Sequence, residues 1–400
     1  MFNKSSAVFL LKNNLAKIFL SDLIVRCFYQ IGKTPLLPLY AASVGAGEFL
    51  IGIIVSISTV TGMLLKPIFG MLSDRWGRKI WLLIAVILFS GTPFFYQFVG
   101  NERELLLLRL FHGISTAIFG PVSLAYVAGI NAQNLGERFG YFGMSRLLAS
   151  LIAPLIAGIL LTFLSFETVF LLIGICSLTA MVPIIFLIEE KTLTMPKQKT
   201  IFGQLFASLT YSLRMATVWL AGLLELLVYL VIYAVKAFLP IFIISQDSGT
   251  IFQAGIFFFF QEGAHLVSRP FGGKLSDKYG QNLIIIIGLI FLSFGLVSLT
   301  YVSSSFLLLS AALFGIGQGL IFPSSVALLS KNTDQKYLGA AMGFYGALRN
   351  LGKVIGPILA GFLLTQFTYS VVFKIFAVFI LCVVIFLILF SARKRILEEI

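Results

Sequence analysis

Four polar or ionisable side chains recur along one early stretch of the chain: Asp22, Arg26, Tyr29 and Lys33. On a helix turning 100° per residue, all four point within about 40° of one direction. The stretch is otherwise apolar, so this stripe must face protein or water rather than hydrocarbon. Such a stripe can bind a charged solute or relay a proton. A second stretch repeats the pattern in part with Glu225, Tyr229 and Lys236, at an offset of 203 residues for the Asp22/Glu225 and Lys33/Lys236 pairs. For Asp22 and Arg26 the competing reading is a plain i,i+4 ion pair near one membrane face.

Glu262 and His265 are i,i+3 neighbours on another apolar stretch. Glu262 precedes Asp277 by a run of helix about 22 Å long at 1.5 Å per residue, which places its carboxylate at mid-membrane depth. A carboxyl group there suits loading and releasing a proton, or holding a substrate. A Glu-x-x-His pair also serves di-metal helix bundles. No second such pair exists in the chain, so no metal is expected. Arg109 and His112 form a further polar pair. A buried guanidinium needs partners, unless its helix starts early enough for the side chain to snorkel outward. Both histidines have a plainer reading as hydrogen-bonded interior residues.

These residues sit in a chain of 400 residues that is 59% hydrophobic and only 11% charged. Soluble domains carry roughly 25% charged residues, so most of this surface does not face water. Twelve apolar runs are long enough to cross a membrane, near 18–40, 50–72, 80–98, 105–127, 141–163, 168–188, 216–245, 251–272, 283–302, 306–330, 340–365 and 369–391. Helices are expected, because lipid leaves backbone polar groups no other partner. The alternating short strands of a β-barrel are missing. No cleavable leader is read at the start of the chain. Cys27, Cys176 and Cys382 all lie in apolar runs and offer neither a disulfide framework nor a metal set.

The net charge of +13 points away from nucleic acid, because the cations lie between apolar runs. Placing both termini in the cytoplasm collects Arg75, Arg78, Lys79, Arg138, Lys191, Lys197, Lys199, Lys274, Lys278 and Arg393 on that side. Arg103 alone is then left on the other side, as the positive-inside rule requires. The hydrophilic stretch 189–215 separates the spans six and six. The expected organisation is a bundle over 1–188, a cytoplasmic linker over 189–215 and a second bundle over 216–400.

The 203-residue offset relates more than the stripes. Lys66-Pro67 through Gly70, Asp74, Arg75, Gly77 and Arg78 matches Arg269-Pro270 through Gly273, Asp277 and Gly280. Gly140 through Arg146, Pro154 and Gly158 matches Gly343 through Arg349, Pro357 and Gly361. Such repetition marks a duplicated architecture. Parallel repeats are one known form of it in transporters, with the substrate site between them. Gly70 and Gly77 are expected to allow close approach and a tight turn. Asp74 is expected to pair with a base. In the fifth and eleventh spans, Pro154 and Pro357 are expected kinks. Gly158, Gly352, Gly356 and Gly361 are expected to let helices approach closely, at the surface that rocks between the halves. The Phe257–Phe260 run reads as packing and lipid-facing bulk.

Gly70-x-Leu-Ser-Asp-Arg-x-Gly-Arg-Lys resembles the loop 2–3 signature of the major facilitator superfamily, with a partial echo at Gly273–Gly280. Arg109-x-x-His112-Gly113 resembles that family's fourth-helix motif. Gly352-x-x-x-Gly356-Pro357-x-x-Ala360-Gly361 resembles its antiporter motif, displaced to the eleventh span. The resemblance is closest to the 12-helix drug/proton antiporter branch. It implies an all-α membrane protein of two pseudo-symmetric six-helix bundles. It also implies that the gate loops latch the cytoplasmic side, that Arg109 lies near a proton-coupling group, and that spans 1, 4, 7 and 10 line a central cavity. The expected function is proton-coupled efflux of a small amphiphilic or charged organic compound by alternating access. Export of a metallophore, organic anion or lipid-like metabolite, uptake by symport, and a sensor without flux are the alternatives. No nucleophile–base pair or nucleotide loop points to an enzyme. No cofactor is expected beyond a proton gradient. The expected partners are the cargo and membrane lipids, for a monomer in a prokaryotic inner membrane.

Overall fold

The computed structural model describes residues 4–130, 135–188, 214–246, 249–301, 304–334 and 337–398. Residues 189–213 of the expected linker lie outside the described residues, including Lys191, Lys197 and Lys199. So does the side chain of Arg393.

The chain divides into two compact units, Met1–Met195 and Pro196–Ile400. The first contains α1 (Lys4–Lys33), α2 (Leu36–Ser43), α3 (Glu48–Trp76), α4 (Arg78–Phe94), α5 (Glu102–Gly129), α6 (Leu135–Phe163), α7 (Phe166–Ser177) and α8 (Met181–Ile185). Short 3-10 turns extend α4 and join α7 to α8. The second unit contains α9 (Ala216–Ile244), α10 (Ile251–Tyr279), α11 (Gln281–Ser298), α12 (Ser304–Lys331), α13 (Leu338–Leu364) and α14 (Tyr369–Glu398). Among the described residues, ten helical segments are long and apolar enough to cross a membrane. The two long helices outside that set, α1 and α10, are those that carry the densest ionic residues. At 30 and 29 residues they match the others in length. The first expected span is thus two helices, α1 and α2, and α1 begins well before residue 18.

The helices start where local chemistry caps them. Asn101 accepts from the backbone N–H groups of Arg103 and Glu104, both at 3.1 Å. Glu104 in turn accepts from Gly100 N at 2.7 Å. Thr250 and Gln253 form a reciprocal capping box on α10. These bonds satisfy amide donors that an open helix end would leave without acceptors. Between α3 and α4 the chain reverses at Gly77, and between α10 and α11 at Gly280. Both glycines have φ of 91°, a region that strains residues with a Cβ.

Packing repeats with the sequence. In unit 1, α1 packs on α6, α3 on α5, and α4 on both α5 and α7. In unit 2, α9 packs on α13, α10 on α12, and α11 on both α12 and α14. Each pairing in one unit has its counterpart in the other. The core of unit 1 gathers Leu82, Val86, Phe89, Phe119, Val122 and Ile184.

The small residues pack differently from expectation. A Cβ on Gly352 would run into the Leu226 carbonyl, and one on Gly356 into the Leu230 carbonyl. The glycine face of α13 is therefore filled by α9 of its own unit. It is an internal seam, which corrects its assignment to a surface that rocks between the halves. At the equivalent places α6 has Ala149 and Ala153, both buried. Pro154 and Pro357 lie inside α6 and α13, which continue past them to Phe163 and Leu364. Gly70 also departs from expectation, since a Cβ there would meet nothing within 4 Å. In the second copy the close approach falls one residue before Gly273, on Gly272 against the Gly319 carbonyl. The phenylalanine run divides: Phe257 and Phe258 are fully buried, whereas Phe260 is 48% exposed.

Candidate coupling and binding sites

In unit 1 the polar stripe of α1 serves two separate groups of side chains. Asp22 is fully buried. One of its carboxylate oxygens accepts from Arg26 Nε at 2.6 Å and from the Ser145 hydroxyl on α6. Its other oxygen has no hydrogen-bond partner. Asp22 therefore ties α1 to α6, in addition to making the local i,i+4 pair.

Tyr29, two turns further on, belongs to the second group. Its ring meets Phe89 edge-on at 5.5 Å and His112 at 5.4 Å, and Lys33 Nζ lies 5.8 Å from its centroid. Arg109 stands behind His112 on α5 and is 1% exposed, so it does not snorkel. Its guanidinium donates to Ser58 Oγ at 2.6 Å and to Tyr96 Oη at 3.4 Å, and it lies 3.5 Å from His112 Nδ1. Tyr96 Oη is also 3.3 Å from that nitrogen. With two donors converging on Nδ1, the imidazole accepts there and carries its proton on Nε2. Arg109 Nε and His112 Nε2 are buried without a partner. Tyr29 also meets Arg109, and among the described residues no carboxylate partners it.

Unit 2 has the opposite character. Lys236 Nζ on α9 donates to Glu262 Oε1 on α10 at 2.9 Å. His265 Nδ1 lies 3.3 Å from the other carboxylate oxygen. The side chains of Lys236, Glu262 and His265 are 17%, 12% and 15% exposed. This is a buried acid held between a base and an imidazole, on two neighbouring helices.

One turn below, Tyr233 and Tyr229 stack up α9 with centroids 6.1 Å apart. Lys353 of α13 lies 5.0 Å from the Tyr229 ring and 5.6 Å from Tyr233. Arg349 lies 5.7 Å from Tyr229. Such distances bring the cations within reach of the ring quadrupoles. At the base Glu225 is 1% exposed, beside Tyr345, whose hydroxyl is 2.8 Å from Ser325 Oγ. The pairing echoes unit 1: the first acid of each unit meets a hydroxyl from the helix that packs on it, Ser145 for Asp22 and Tyr345 for Glu225.

At the first signature loop, Asp74 accepts from Arg78 at 3.1 Å, and Arg78 also donates to the Ala125 carbonyl at 2.8 Å. Ala125 lies near the C-terminal end of α5. The loop thus stitches α3 and α4 to the end of α5 within unit 1. Arg75 and Asp277 are exposed. Among the described residues, no group of three or more His, Cys, Asp or Glu residues comes together as a metal would require.

The spacing argument did not single out Ser58, Tyr96, Ser145, Tyr233, Tyr345 or Lys353. Two of them carried a usable signal. Tyr233 follows Tyr229 by four residues, and Lys353 follows the repeated Arg349 by four, so each shares a helical face with its neighbour.

Two units of paired apolar helices, each with ionic groups buried at its centre, define a multi-pass membrane transporter. The sequence profile of the Major Facilitator Superfamily matches residues 23–260 and 221–399, and the chain belongs to that family of secondary transporters. It is 27% identical over 351 residues to the multi-drug resistance efflux pump PmrA of Streptococcus pneumoniae, covering 85% of this chain and 86% of that protein. It is 24% identical to the multidrug resistance protein MdtG of Escherichia fergusonii, covering 95% and 94%. The crystal structure of the nucleoside transporter NupG superposes with a TM-score of 0.81 at 14% identity, covering 94% of this chain and 98% of that one. At that identity the likeness shows the fold alone.

Proposed function

We propose that the chain is a proton-coupled exporter of small amphiphilic or charged organic compounds, working by alternating access with both termini in the cytoplasm of a prokaryotic inner membrane. The observation that carries the coupling claim is the Lys236–Glu262–His265 group. A buried carboxylate between two bases has two self-consistent states. In one, Glu262 is ionised and neutralises Lys236. In the other, Glu262 is protonated and its pair with Lys236 is released; proton and cargo are held in turn rather than together, which is what exchanges one for the other. Moving between them takes up or releases one proton at the Glu262 carboxyl, with His265 positioned to relay it. The similarity to two multidrug efflux proteins supports export as the direction. The lysines and arginines between spans support the cytoplasmic placement of the Asp74 and Asp277 loops, where the first would act as a latch. The protein is proposed to work as a monomer in contact with lipid and to draw on the proton gradient alone.

The test is pH-driven transport in proteoliposomes containing an internal pH dye, with ethidium, 2-naphthoate and 2-naphthylmethylammonium as probes. Probe-dependent proton movement, opposite in direction to the probe, is expected for at least one of them. Proton movement in the same direction as the probe would make the chain a symporter. No proton movement with any of the three would remove proton coupling.

A further inference from the structure

The buried guanidinium of unit 1 raises a question that proton coupling in unit 2 does not answer. Arg109 is fully enclosed, and its partners Ser58, Tyr96, His112 and Tyr29 include no carboxylate. An enclosed charge without a counter-ion is unfavourable by several kcal/mol, by rough estimate. Family membership leaves open what neutralises it. The nearest acid on α1 is Asp22, and it is already engaged by Arg26 and Ser145. Along the helix Asp22 is also about 10 Å from Tyr29 at 1.5 Å per residue.

The surroundings supply what an organic anion requires. Two N–H groups are buried and unused, on Arg109 Nε and His112 Nε2. His112 and Tyr29 border a small cavity, with room for about one water, whose other walls include Phe28, Phe89 and Phe170. His112 thus meets an aromatic wall, with Arg109 3.5 Å behind its Nδ1. We propose that this cluster of unit 1 binds the anionic group, a carboxylate or phosphate, of an amphiphilic cargo whose apolar part lies against those rings. The proposal rests on the exporter reading and narrows it: the preferred cargo is an organic anion rather than a lipophilic cation. A cationic cargo would meet Arg109 with no acid to offset the repulsion.

The test measures binding without any gradient. The full chain, in nanodiscs of phosphatidylcholine, is titrated calorimetrically with 2-naphthoate and with 2-naphthylmethylammonium, aromatic ions of similar size and opposite charge. Naphthoate is expected to bind about tenfold or more tightly than the cation. Arg109→Gln is expected to weaken naphthoate by about tenfold or more. If Arg109→Gln does not fold, His112→Phe keeps the guanidinium and removes one unused donor, and is expected to weaken naphthoate severalfold. Lys374→Gln, at an exposed position, controls for general surface charge and is expected to leave binding unchanged. Equal or tighter binding of the cation overturns the proposal, as does naphthoate binding that is unaltered in Arg109→Gln or His112→Phe. Discs doped with phosphatidylglycerol separate the two sources of anion. Unchanged naphthoate affinity there supports a cargo site, and loss of it by competition assigns the cluster to a lipid headgroup instead. If naphthoate binds through Arg109 while no probe moves protons, the exporter reading fails and the anion site stands.

Discussion

In unit 1 the buried guanidinium of Arg109 is met by a hydroxyl, two phenols and an imidazole. In unit 2 the buried ammonium of Lys236 is met by the carboxylate of Glu262, with His265 on its far side. The helices around the two groups pair in the same way. Arg109 is on α5 and packs toward α3, and Glu262 is on α10, the counterpart of α3. The repeated frame is therefore shared, but the acid Glu262 of unit 2 has Thr59 at its equivalent place in unit 1. A site with a built-in acid can load a proton without a ligand. A buried guanidinium without a carboxylate partner can take its counter-charge from a bound anion. In the proposed scheme, proton handling falls to unit 2 and anion recognition to unit 1.

The sharpest way to break that division is Glu262→Gln. It removes the carboxylate that pairs with Lys236, and pH-driven accumulation in proteoliposomes is expected to fall by about a hundredfold or more. Accumulation at the normal level would show that the acid of unit 2 is idle. The same variant leaves Lys236 buried without its counter-charge, a loss of about 3–5 kcal/mol for an enclosed pair. The double variant Lys236→Gln with Glu262→Gln is expected to regain most of the thermal stability in detergent and none of the coupled transport. Stability that stays low in the double variant would mean that the pair is not what the single variant broke.

The glycine seam sharpens the comparison at the level of packing. Gly356→Ala drives a methyl group into the Leu230 carbonyl and is expected to cost about 1–3 kcal/mol. The reverse change at the equivalent place in unit 1, Ala153→Gly, is expected to cost about 1 kcal/mol or less. Equal losses in melting experiments would contradict the asymmetry between the α9–α13 and α1–α6 seams. Ser145→Ala, which withdraws a donor from buried Asp22, is expected to cost about 1–3 kcal/mol. The smallest effect on stability is expected at the signature loop. Asp74 is about half exposed, so Asp74→Asn should change stability by about 0–1 kcal/mol, while slowing transport if the loop is a latch.

The sequence made the helices legible because apolar runs, capping residues and the positive-φ glycines at the α3–α4 and α10–α11 turns are all local signals. Gly77 and Gly280 could be paired from the 203-residue repeat alone. The polar stripe of α1 could be placed on one face from spacing, but not divided. Asp22 turns to Ser145 while Tyr29 joins Arg109, because the contacts of that face change from α6 to α5 and α4 along its length. Ser58 and Tyr96 gave no signal. A serine or tyrosine within an apolar run is ordinary, and only helix packing brings these two to a guanidinium. Lys236 and Glu262 each stood out as ionic residues within spans, yet their union depends on the register between α9 and α10. The glycine motif of α13 was recognisable as a close-packing face, but its partner helix is a tertiary fact.

The measurement closest to the central claim compares two modes of transport in one variant. Proteoliposomes carrying Glu262→Gln are assayed with labelled 2-naphthoate for exchange at equal pH and for accumulation driven by a pH gradient. The account predicts that exchange persists, because the Arg109 cluster still binds the anion, while gradient-driven accumulation is lost. Accumulation that survives in Glu262→Gln would contradict it.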